Sequence, residues 1–492
     1  MQSGAFLENR IPLRQSGISP FYWGRVHHPT KLLTHYSRRH FVQLAALSTL
    51  LAACRPPREH DALTQNVVDL SPEFQWQRWR GQEVSVLLND HPWTAGVKPY
   101  LADFEALTGI RVKLEIVPEP GYFEFMETML RQSPVPADVF FLPMDSTAYR
   151  LWQDDLLQPL TPLINNRQFT ESSYNLIDFP EGFRLAAMYP PAQPEQQLFG
   201  IPATFEAYIL FYNKQLVNQY LDGQVPRTMT ELIEAAQTIN QIGNGDLYGA
   251  VMRGVRSDAI IDTVTGLMLN CWGPEPTPLP HNLWFDGDWQ QPRFTDPRVV
   301  AGLTAYAQLM QAGPPNIKEI DWPQATQLFQ SGQAAFYIDA SLFGPSYESS
   351  AIAGQIGYTV LPRSQGASLT GHWLWGLGMA QKSPRREAAW LFIQWATSPK
   401  MEPQIALATG GAPRFSSWLT PSAYTEAMNI DYALTVQTAM QTSRPTAVLH
   451  PQWPQMAIAI AIAIQQIYDG TAAPVAAAEL QRHVIQIMQE AA

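Results

Sequence analysis

Residues 83–143 alternate between strand and helix patterns, and this order limits the fold more than any other feature of the chain. The runs "EVSVLLND" and "DVFFLP" are mostly apolar and fit buried strands, while "IRVKLEIV" alternates with the period of two that is typical of a strand. Between them, Leu101, Phe104 and Leu107 share a helix face that ends at Gly109, and "YFEFMETMLRQ" indicates a second helix. This order predicts an α/β fold with a parallel sheet, whose ligands bind beyond the carboxyl ends of the strands.

The middle and the end of the chain are predicted to be rich in helices. Thr228 and Glu231 form a capping box before an amphipathic helix, and Ser383 with Pro384 suits the start of the helix "REAAWLFIQWATS". "AAFYID" and "IGYTVLP" are strand candidates, and residues 273–298, crowded with proline, glycine and asparagine, are predicted to be loop. "MAIAIAIAIQQIYDG" alternates like a strand, but alanine favours helices, so we interpret this run as a helix followed by a second Ala-rich helix.

The apolar stretch "FVQLAALSTLLAA" is predicted to belong to an export signal. Its 13 residues are too few to cross a bilayer, and they follow the adjacent Arg38 and Arg39. The paired arginines resemble a twin-arginine export motif, and the "LAAC" that ends at Cys54 resembles a lipobox, in which the cysteine is lipidated. We therefore interpret residues 1–53 as a removed signal peptide and residues 54–82 as a polar tether.

Charge and cysteine content exclude several classes of partner and structure. The whole chain carries −11 and its first 53 residues carry +5, from six Lys/Arg against one Asp/Glu, so the processed chain carries −16. This sign argues against nucleic acid or an anionic membrane surface as the main partner. Cys271 is the one cysteine besides Cys54, so no intramolecular disulfide is predicted. No segment after the signal is long and apolar enough to span a membrane.

The sequence lacks the common catalytic motifs. Its six histidines after the signal do not have the spacing of a zinc helix, and there is no GxSxG elbow, Walker loop or GxGxxG fingerprint. A carboxylate pair for glycoside hydrolysis stays open, because such pairs meet only in the fold. The 15 tryptophans are interleaved with short polar clusters, which suits a neutral polyol, because aromatic faces pack on sugar rings and carboxylates accept from hydroxyls. No cofactor and no metal are predicted.

Several longer segments carry a family resemblance. In chain order they are "ADVFFLPMDSTAYRLWQDDLLQPLTPLI", "GIPATFEAYILFYNKQLV", "PRTMTELIEAAQTI", "WPQATQLFQSGQAAFYID", "GHWLWGLGMAQKSPRREAAWLFIQWATSP" and "GGAPR". Together they resemble the extracellular solute-binding proteins of carbohydrate ABC transporters, the maltodextrin-binding-protein-like family. The resemblance covers nearly all of residues 83–490 and implies a two-lobed, type II-like periplasmic-binding-protein fold with the ligand in a cleft between the lobes.

The resemblance also implies where the lobes begin and end. Chain crossings are expected near residues 203–206, near residues 373–378, and between residue 413 and about residue 440. Lobe one is expected to comprise residues 83–204 and 376–425, and lobe two residues 206–372 and 426–492. Hinge motion at the crossings would close the lobes around a ligand.

By the same resemblance, nine side chains are predicted to line the cleft: Asn89, Asp90, Trp93, Asp145, Glu206, Asp339, Trp373, Trp375 and Arg414. Three of them also have a structural interpretation. Asp145 suits a helix N-cap, Trp93 a packed loop aromatic and Arg414 a surface charge. Residues Trp373 and Trp375 are two apart on a predicted strand, so both face the same way.

The remaining tryptophans are weaker candidates for the cleft. Trp272 and Trp284 are interpreted as structural. The tryptophan that the family usually has in the C-terminal part of the cleft is missing here, with Trp453 just ahead of the Ala/Ile run. This departure argues against a long maltodextrin as the ligand.

The sequence thus predicts a non-enzymatic, lipid-anchored, monomeric receptor on the periplasmic or cell-surface side of the membrane. It would capture a sugar or related polyol and deliver it to the permease subunits of an ABC transporter. The same fold binding a polyamine, iron or a peptide is the main alternative. A secreted glycan hydrolase and an anchored adhesion or scaffold protein are two further alternatives.

Overall fold

The computed structural model describes residues 73–490, apart from residues 192, 273–282, 287–290, 364–367, 420–422 and 447. The predicted signal peptide and Cys54 lie outside the described residues, as does most of the predicted tether. Where the tether is described, Trp79 packs on Phe169, and the Gly81 N–H donates to the Gly109 carbonyl at 2.9 Å. No described helix is both long enough and apolar enough to cross a membrane.

The described strands are, in chain order, β1 (Glu83–Asn89), β2 (Arg111–Val117), β3 (Val139–Pro143), β4 (Met188–Tyr189), β5 (Gln197–Leu198), β6 (Gly200–Asn213), β7 (Tyr248–Val251), β8 (Phe285–Asp286), β9 (Gln291–Pro292), β10 (Ala334–Ala340), β11 (Ile356–Thr359), β12 (Thr370–Met379) and β13 (Ser443–Pro445). β1 pairs with β2 and β3 in parallel, which confirms the predicted parallel sheet. β8 and β9 form a short hairpin inside the segment that was predicted to be loop, most of which lies outside the described residues.

The described α-helices are α1 (Pro92–Val97), α2 (Leu101–Thr108), α3 (Glu119–Leu130), α4 (Ser146–Gln153), α5 (Thr161–Ile164), α6 (Glu181–Leu185), α7 (Lys214–Leu221), α8 (Met229–Gly243), α9 (Ile260–Cys271), α10 (Pro297–Gln311), α11 (Trp322–Gln330), α12 (Gly344–Tyr347), α13 (Arg386–Ala396), α14 (Glu402–Thr409), α15 (Ser416–Leu419), α16 (Ala423–Ala427), α17 (Ile430–Thr442), α18 (Trp453–Tyr468) and α19 (Ala473–Glu490). α18 and α19 confirm the helical interpretation of the Ala/Ile run and its successor. Gly109 ends α2 as predicted, at a φ of 70° that a residue without Cβ adopts at little cost.

Two long strands, β6 and β12, cross the middle of the main sheet, and β6 has partners in both halves of it. β12 pairs antiparallel with β3 and β6, and β6 continues into pairing with β10 and β11. β6 changes partner between Ala207, opposite His372 of β12, and Tyr208, opposite Ala340 of β10. We call β2, β1, β3, β12 and the start of β6 the first half-sheet, and the end of β6 with β10, β7 and β11 the second half-sheet.

Helices cover both half-sheets and bury the crossing strands. α13 packs on β1 and β12, α14 packs on α1, and α8 packs on β7. α9, α10, α18 and α19 pack on one another, and α9 also contacts β12. Strand β6 is buried along nearly its whole length, as expected of a strand covered on both faces.

Helix α13 starts at Arg386, as predicted, but its N-cap differs from the prediction. The N-cap is Arg385, without a side-chain cap bond, instead of Ser383. Ser383 Oγ donates to the Asp138 carboxylate at 2.7 Å and accepts the N–H of Arg385 at 3.2 Å. Asp138 lies just before β3, is fully buried and needs such partners. Ser383 therefore hydrogen-bonds this distant carboxylate as well as the backbone of its own turn.

The capping box of α8 is half formed. Thr228 Oγ1 accepts the N–H of Glu231 at 3.1 Å, as predicted. The Glu231 carboxylate accepts instead from the N–H of Arg227 at 2.7 Å, one residue earlier than the capping box requires.

Candidate functional site

The crossing strands bring several predicted site residues together. Glu206 of β6 lies opposite Trp373 of β12, and Trp375 lies opposite Pro143 at the end of β3. Asp145 follows β3 by two residues and begins α4. The candidate site therefore lies where the first half-sheet ends and the second half-sheet begins.

Glu206 is buried at this junction and is held by a histidine that the sequence prediction missed. Its side chain is 8% exposed, and its Oε1 lies 3.2 Å from Nε2 of His91. His91 is itself buried at the start of α1, directly after β1. The signal for it was its position, because it follows a predicted strand end together with Asn89 and Asp90.

Asp145 is a buried carboxylate that also caps a helix. Only 8% of the residue is exposed, and its Oδ1 accepts the N–H of Thr147 at 2.7 Å, which is the N-cap bond of α4. Burial raises the pKa of Asp145 from 3.8 to about 7, although the bonds from Thr147 lower it. Both interpretations of the residue are therefore compatible, because the N-cap bond uses one carboxylate oxygen and leaves Oδ2 for another donor.

Aromatic rings pack against one another at the site, and one of them is more accessible than the others. The ring of Phe141 lies 4.7 Å from that of Trp375 at an interplanar angle of 1°, and 5.1 Å from that of Trp93 at 20°. Trp93 and Trp375 are 1% and 3% exposed, so their faces are occupied by protein. Trp373 is partly buried, with its ring 6.1 Å from that of Trp375. Of the three tryptophans, Trp373 is the one placed to meet a ligand.

Asp339 lies in the core of the second half-sheet, where it is fully buried. Its carboxylate accepts from Nε and Nη2 of Arg253 at 3.1 and 2.6 Å, and from the Tyr337 hydroxyl and the Ala340 N–H. The Arg253 partner, on the segment after β7, was not identified from the sequence. The structure thus gives Asp339 a buried ion pair with Arg253, whereas the resemblance implies a place in the cleft.

Arg414 is also fully buried and serves the protein interior. Its Nε donates to the Thr397 carbonyl at 2.8 Å, and its Nη1 donates to the Asn175 carbonyl and to Asp178 at 3.0 and 3.3 Å. The guanidinium also lies 3.9 Å from the ring centroid of Phe179. This is neither the sugar contact implied by the resemblance nor the surface charge that was its alternative.

Asn89 and Asp90 differ sharply in exposure. Asp90 is exposed, whereas the Asn89 side chain is fully buried, and neither its Oδ1 nor its Nδ2 has a hydrogen-bond partner among the described residues. A buried amide without partners is costly. Asn89 therefore stays a stronger candidate for a ligand or water contact than Asp90.

Two further carboxylates, which the sequence prediction missed, face the same region. Glu119 begins α3 after the end of β2, and burial and the nearby Glu206 raise its pKa, while His91 and Arg253 lower it. Its position after a strand end was an available signal. The side of the site that the first half-sheet forms is therefore acidic.

The second carboxylate, Asp262, comes from α9 on the opposite wall. Burial raises the pKa of Asp262 to about 7. Arg253, at 3.8 Å, and the hydroxyl of Thr446, at 2.7 Å, lower it, while Glu206 and Asp145 raise it. No sequence signal singles out Asp262, because it sits inside an apolar helix.

The space at the site is small in this conformation. A cavity of about 10 Å³, roughly the space that one water molecule needs, is lined by Met144, Asp145, His372, Trp373, Leu374 and Pro445. A wider groove of about 490 Å³ lies between residues 223–227 and 359–363, and none of the candidate side chains lines it. The described residues contain no group of three or more His, Cys, Asp or Glu side chains that could hold a metal ion. Cys271 is free, and burial raises the pKa of its thiol to about 12.

Stability is expected to fall as pH rises from about 6.5 to 8.5. Burial gives Asp145 and Asp262 pKa values of about 7 and Glu402 a pKa of about 8, all well above their ordinary values. The folded state keeps protons that the unfolded state has lost, so this contribution is complete below about pH 4 and lost as pH rises through the folded pKa values. His372, whose pKa burial lowers to about 3, acts in the opposite direction, but only below its ordinary value of 6.5.

Chemical unfolding at several pH values between 6.5 and 8.5 measures this loss, which should be on the order of 1 kcal/mol per group. Glu402 provides the matched variant. It is buried, and the Ser417 hydroxyl donates to it. Glu402→Gln should make the decline shallower, and a decline of unchanged slope would contradict the assignment.

Comparisons with known proteins identify a family for this chain. The profile of a family described as bacterial extracellular solute-binding protein matches residues 91–403. The erythritol/L-threitol-binding protein of Mycolicibacterium smegmatis is 29% identical over 66% of this chain and 68% of its own length. The mannitol-binding protein of Pseudomonas aeruginosa is 31% identical over 41% of this chain and 45% of its own length.

Solved structures show the same fold at lower identity. An ABC transporter solute-binding protein from Agrobacterium radiobacter in complex with ribitol has a TM-score of 0.68 and 23% identity, covering 83% of this chain and 99% of that one. Another, from Agrobacterium vitis with bound D-mannitol, has a TM-score of 0.67 and 21% identity over the same shares. These matches confirm the predicted α/β two-lobed fold.

Proposed function

The chain belongs to the bacterial extracellular solute-binding protein family, and from this membership we propose that it captures a small sugar or sugar alcohol and delivers it to the permease of an ABC transporter. Members of this family bind solutes and are not enzymes, and they act outside the cytoplasmic membrane. Relatives named for erythritol, L-threitol and mannitol support a short polyol as the ligand class.

The observation that carries this proposal is a partly buried tryptophan, Trp373, which lies near buried carboxylates from two different chain segments. Asp145 comes from the end of β3, and Glu206 comes from the strand that continues into the second half-sheet. A polyol offers many hydroxyl donors, and buried carboxylates are strong acceptors for them. Trp373, opposite Glu206, supplies an apolar face for the carbon chain.

Some of the nine predicted side chains are better suited to the ligand than others. We propose that Asn89, Asp145, Glu206 and Trp373 contact it, with Glu119 and Asp262 as additional polar walls. Trp93, Trp375, Asp339 and Arg414 support the fold around them. We also propose that lobe one comprises residues 83–204 and 376–425 and lobe two residues 206–372 and 426–492, so that the ligand lies at the crossings.

Titration calorimetry with erythritol, L-threitol, ribitol, D-mannitol and maltose tests the proposal. Binding of at least one short polyol is expected, with maltose binding weakest because the relatives are named for short polyols. Putrescine and a short peptide serve as the non-sugar arm of the panel. If heat of binding is seen only with putrescine or the peptide, the polyol assignment is wrong, although the family assignment still holds.

We further propose that lipid on Cys54 holds the receptor at the membrane, following export through a signal that includes Arg38 and Arg39. Several acyl chains on one cysteine anchor a protein far better than one chain does. Once lipidated and attached, the receptor would act as a monomer that docks on the permease.

Replacing Cys54 with alanine is expected to release the protein into the soluble fraction. Membrane fractionation with mass spectrometry of the mature N-terminus provides the measurement. Cys271→Ala is the matched control, because it removes the other cysteine and should leave anchoring unchanged. Equal membrane association of the Cys54 variant and the parent would refute the anchor.

A further inference from the structure

His91 is fixed at both ring nitrogens. It is the N-cap of α1, and its Nδ1 lies 3.0 Å from the backbone nitrogen of Trp93. A backbone N–H can only donate, so Nδ1 must accept and carries no proton. The proton of the neutral ring is therefore on Nε2, and this assignment follows from the helix cap alone.

The other end of the ring is aimed at the candidate site. Nε2 lies 3.2 Å from Oε1 of Glu206, and with its proton there it donates to the carboxylate. The ring is held in this orientation by Phe141 and Trp375, at centroid distances of 5.4 and 5.7 Å. The start of α1 follows β1 of the first half-sheet. The rigid ring of His91 thus connects this point to β6, the strand that runs from one half-sheet into the other.

We propose that His91 is a positioning residue for ligand capture, which holds Glu206 by Oε1 so that Oε2 accepts from a ligand hydroxyl. This inference rests on the proposed function. The helix cap selects the tautomer, the tautomer supplies the donor, and the donor selects which carboxylate oxygen is left for the ligand. His91 itself does not touch the ligand.

Two substitutions of His91 test the roles of its two ring nitrogens separately. Asparagine is a good N-cap whose side-chain oxygen replaces Nδ1, but it is too short to reach Glu206. Glutamine places an amide N–H near the position of Nε2 but is a poor cap. His91→Asn should keep the cap but lose some stability, because the smaller side chain leaves space beside Phe141 and Trp375. It should weaken binding of erythritol or D-mannitol about tenfold. His91→Gln should lower stability and keep affinity within about threefold.

A matched control variant and a double-mutant cycle of His91 and Glu206 complete the test. Thr228→Ala removes a side-chain cap of the same kind from α8, and it should lower stability without changing affinity. In a Glu206→Gln background, where affinity is already reduced, His91→Asn should weaken binding no further, because the carboxylate that it positions is gone. Nitrogen-15 NMR of histidine-labelled protein should show Nε2 protonated and Nδ1 unprotonated.

The outcomes distinguish this inference from the proposed function. A parent protein that binds no polyol would overturn the function and the inference with it. A parent that binds, together with a His91→Asn variant of equal affinity, would overturn the inference alone. A proton found on Nδ1 would do the same.

Discussion

Replacing Arg253 with methionine is expected to lower the free energy of unfolding by about 3–5 kcal/mol, because it leaves a fully buried carboxylate without its cation. Asp339 is 0% exposed and accepts two hydrogen bonds from the guanidinium, at 2.6 and 3.1 Å. Asp262, at 3.8 Å, loses the same neighbour. Methionine fills much of the arginine's volume, so the loss reports on charge more than on packing.

Urea unfolding of three variants measures this effect. Arg253→Met should be the least stable, while Arg253→Met combined with Asp339→Leu should recover much of the loss, because no unpaired charge then remains at residue 339. Lys318→Met is the matched control for an exposed pair, since Lys318 meets Asp469 at 2.8 Å with both side chains substantially exposed. Its cost should stay below about 1 kcal/mol. Equal costs for Arg253→Met and Lys318→Met would contradict the structural role.

The role of Asp339 shows what the sequence leaves open. The pattern of "AAFYID" predicts the strand correctly, because β-forming residues and burial are local properties. The partner Arg253 is 86 residues away, and no spacing rule connects the two. The resemblance therefore placed the Asp339 carboxylate in the cleft, whereas the fold uses this carboxylate inside the second half-sheet.

The tryptophans make the same point through strand register. Trp373 and Trp375 share a face, as the period of two predicts, and their rings lie 6.1 Å apart. Which of them is accessible depends on β3, whose Phe141 covers Trp375 at 4.7 Å. Register between strands separated by more than two hundred residues is a tertiary property, so the sequence predicted the pair but not the difference between its members.

Strand ends were the most informative signal for the site. Asn89 ends β1, and His91 and Asp145 follow β1 and β3, whose carboxyl ends meet at one edge of the parallel sheet. Asp262 lies inside α9 on the other wall, and the hydroxyl of Thr446, which donates to it, follows the short strand β13, which the sequence did not predict. The sequence therefore predicted one wall of the candidate site better than the other.

Removing the charge of Asp145 or of Glu206 is expected to weaken polyol binding by about ten- to a hundredfold. A hydrogen bond to a charged group contributes roughly 1.5–3 kcal/mol, and each 1.4 kcal/mol is about tenfold in affinity. Both carboxylates are buried, so a ligand hydroxyl that loses either acceptor finds little water to replace it. The two residues come from different segments, which makes each necessary for holding the ligand from its own side.

Asp145→Asn gives the sharper form of this prediction, because Asp145 also caps α4. Asparagine keeps the cap to the Thr147 N–H and removes the negative charge, so affinity should fall while thermal stability holds. Asp296→Asn is the control, since Asp296 caps α10 in the same way and is not part of the candidate site. Calorimetry with erythritol and D-mannitol at pH 8.5, where Asp145 with its pKa of about 7 is ionised, should show a loss only for Asp145→Asn. If both variants bind like the parent, Asp145 acts as a cap alone, and the ligand is held by other groups.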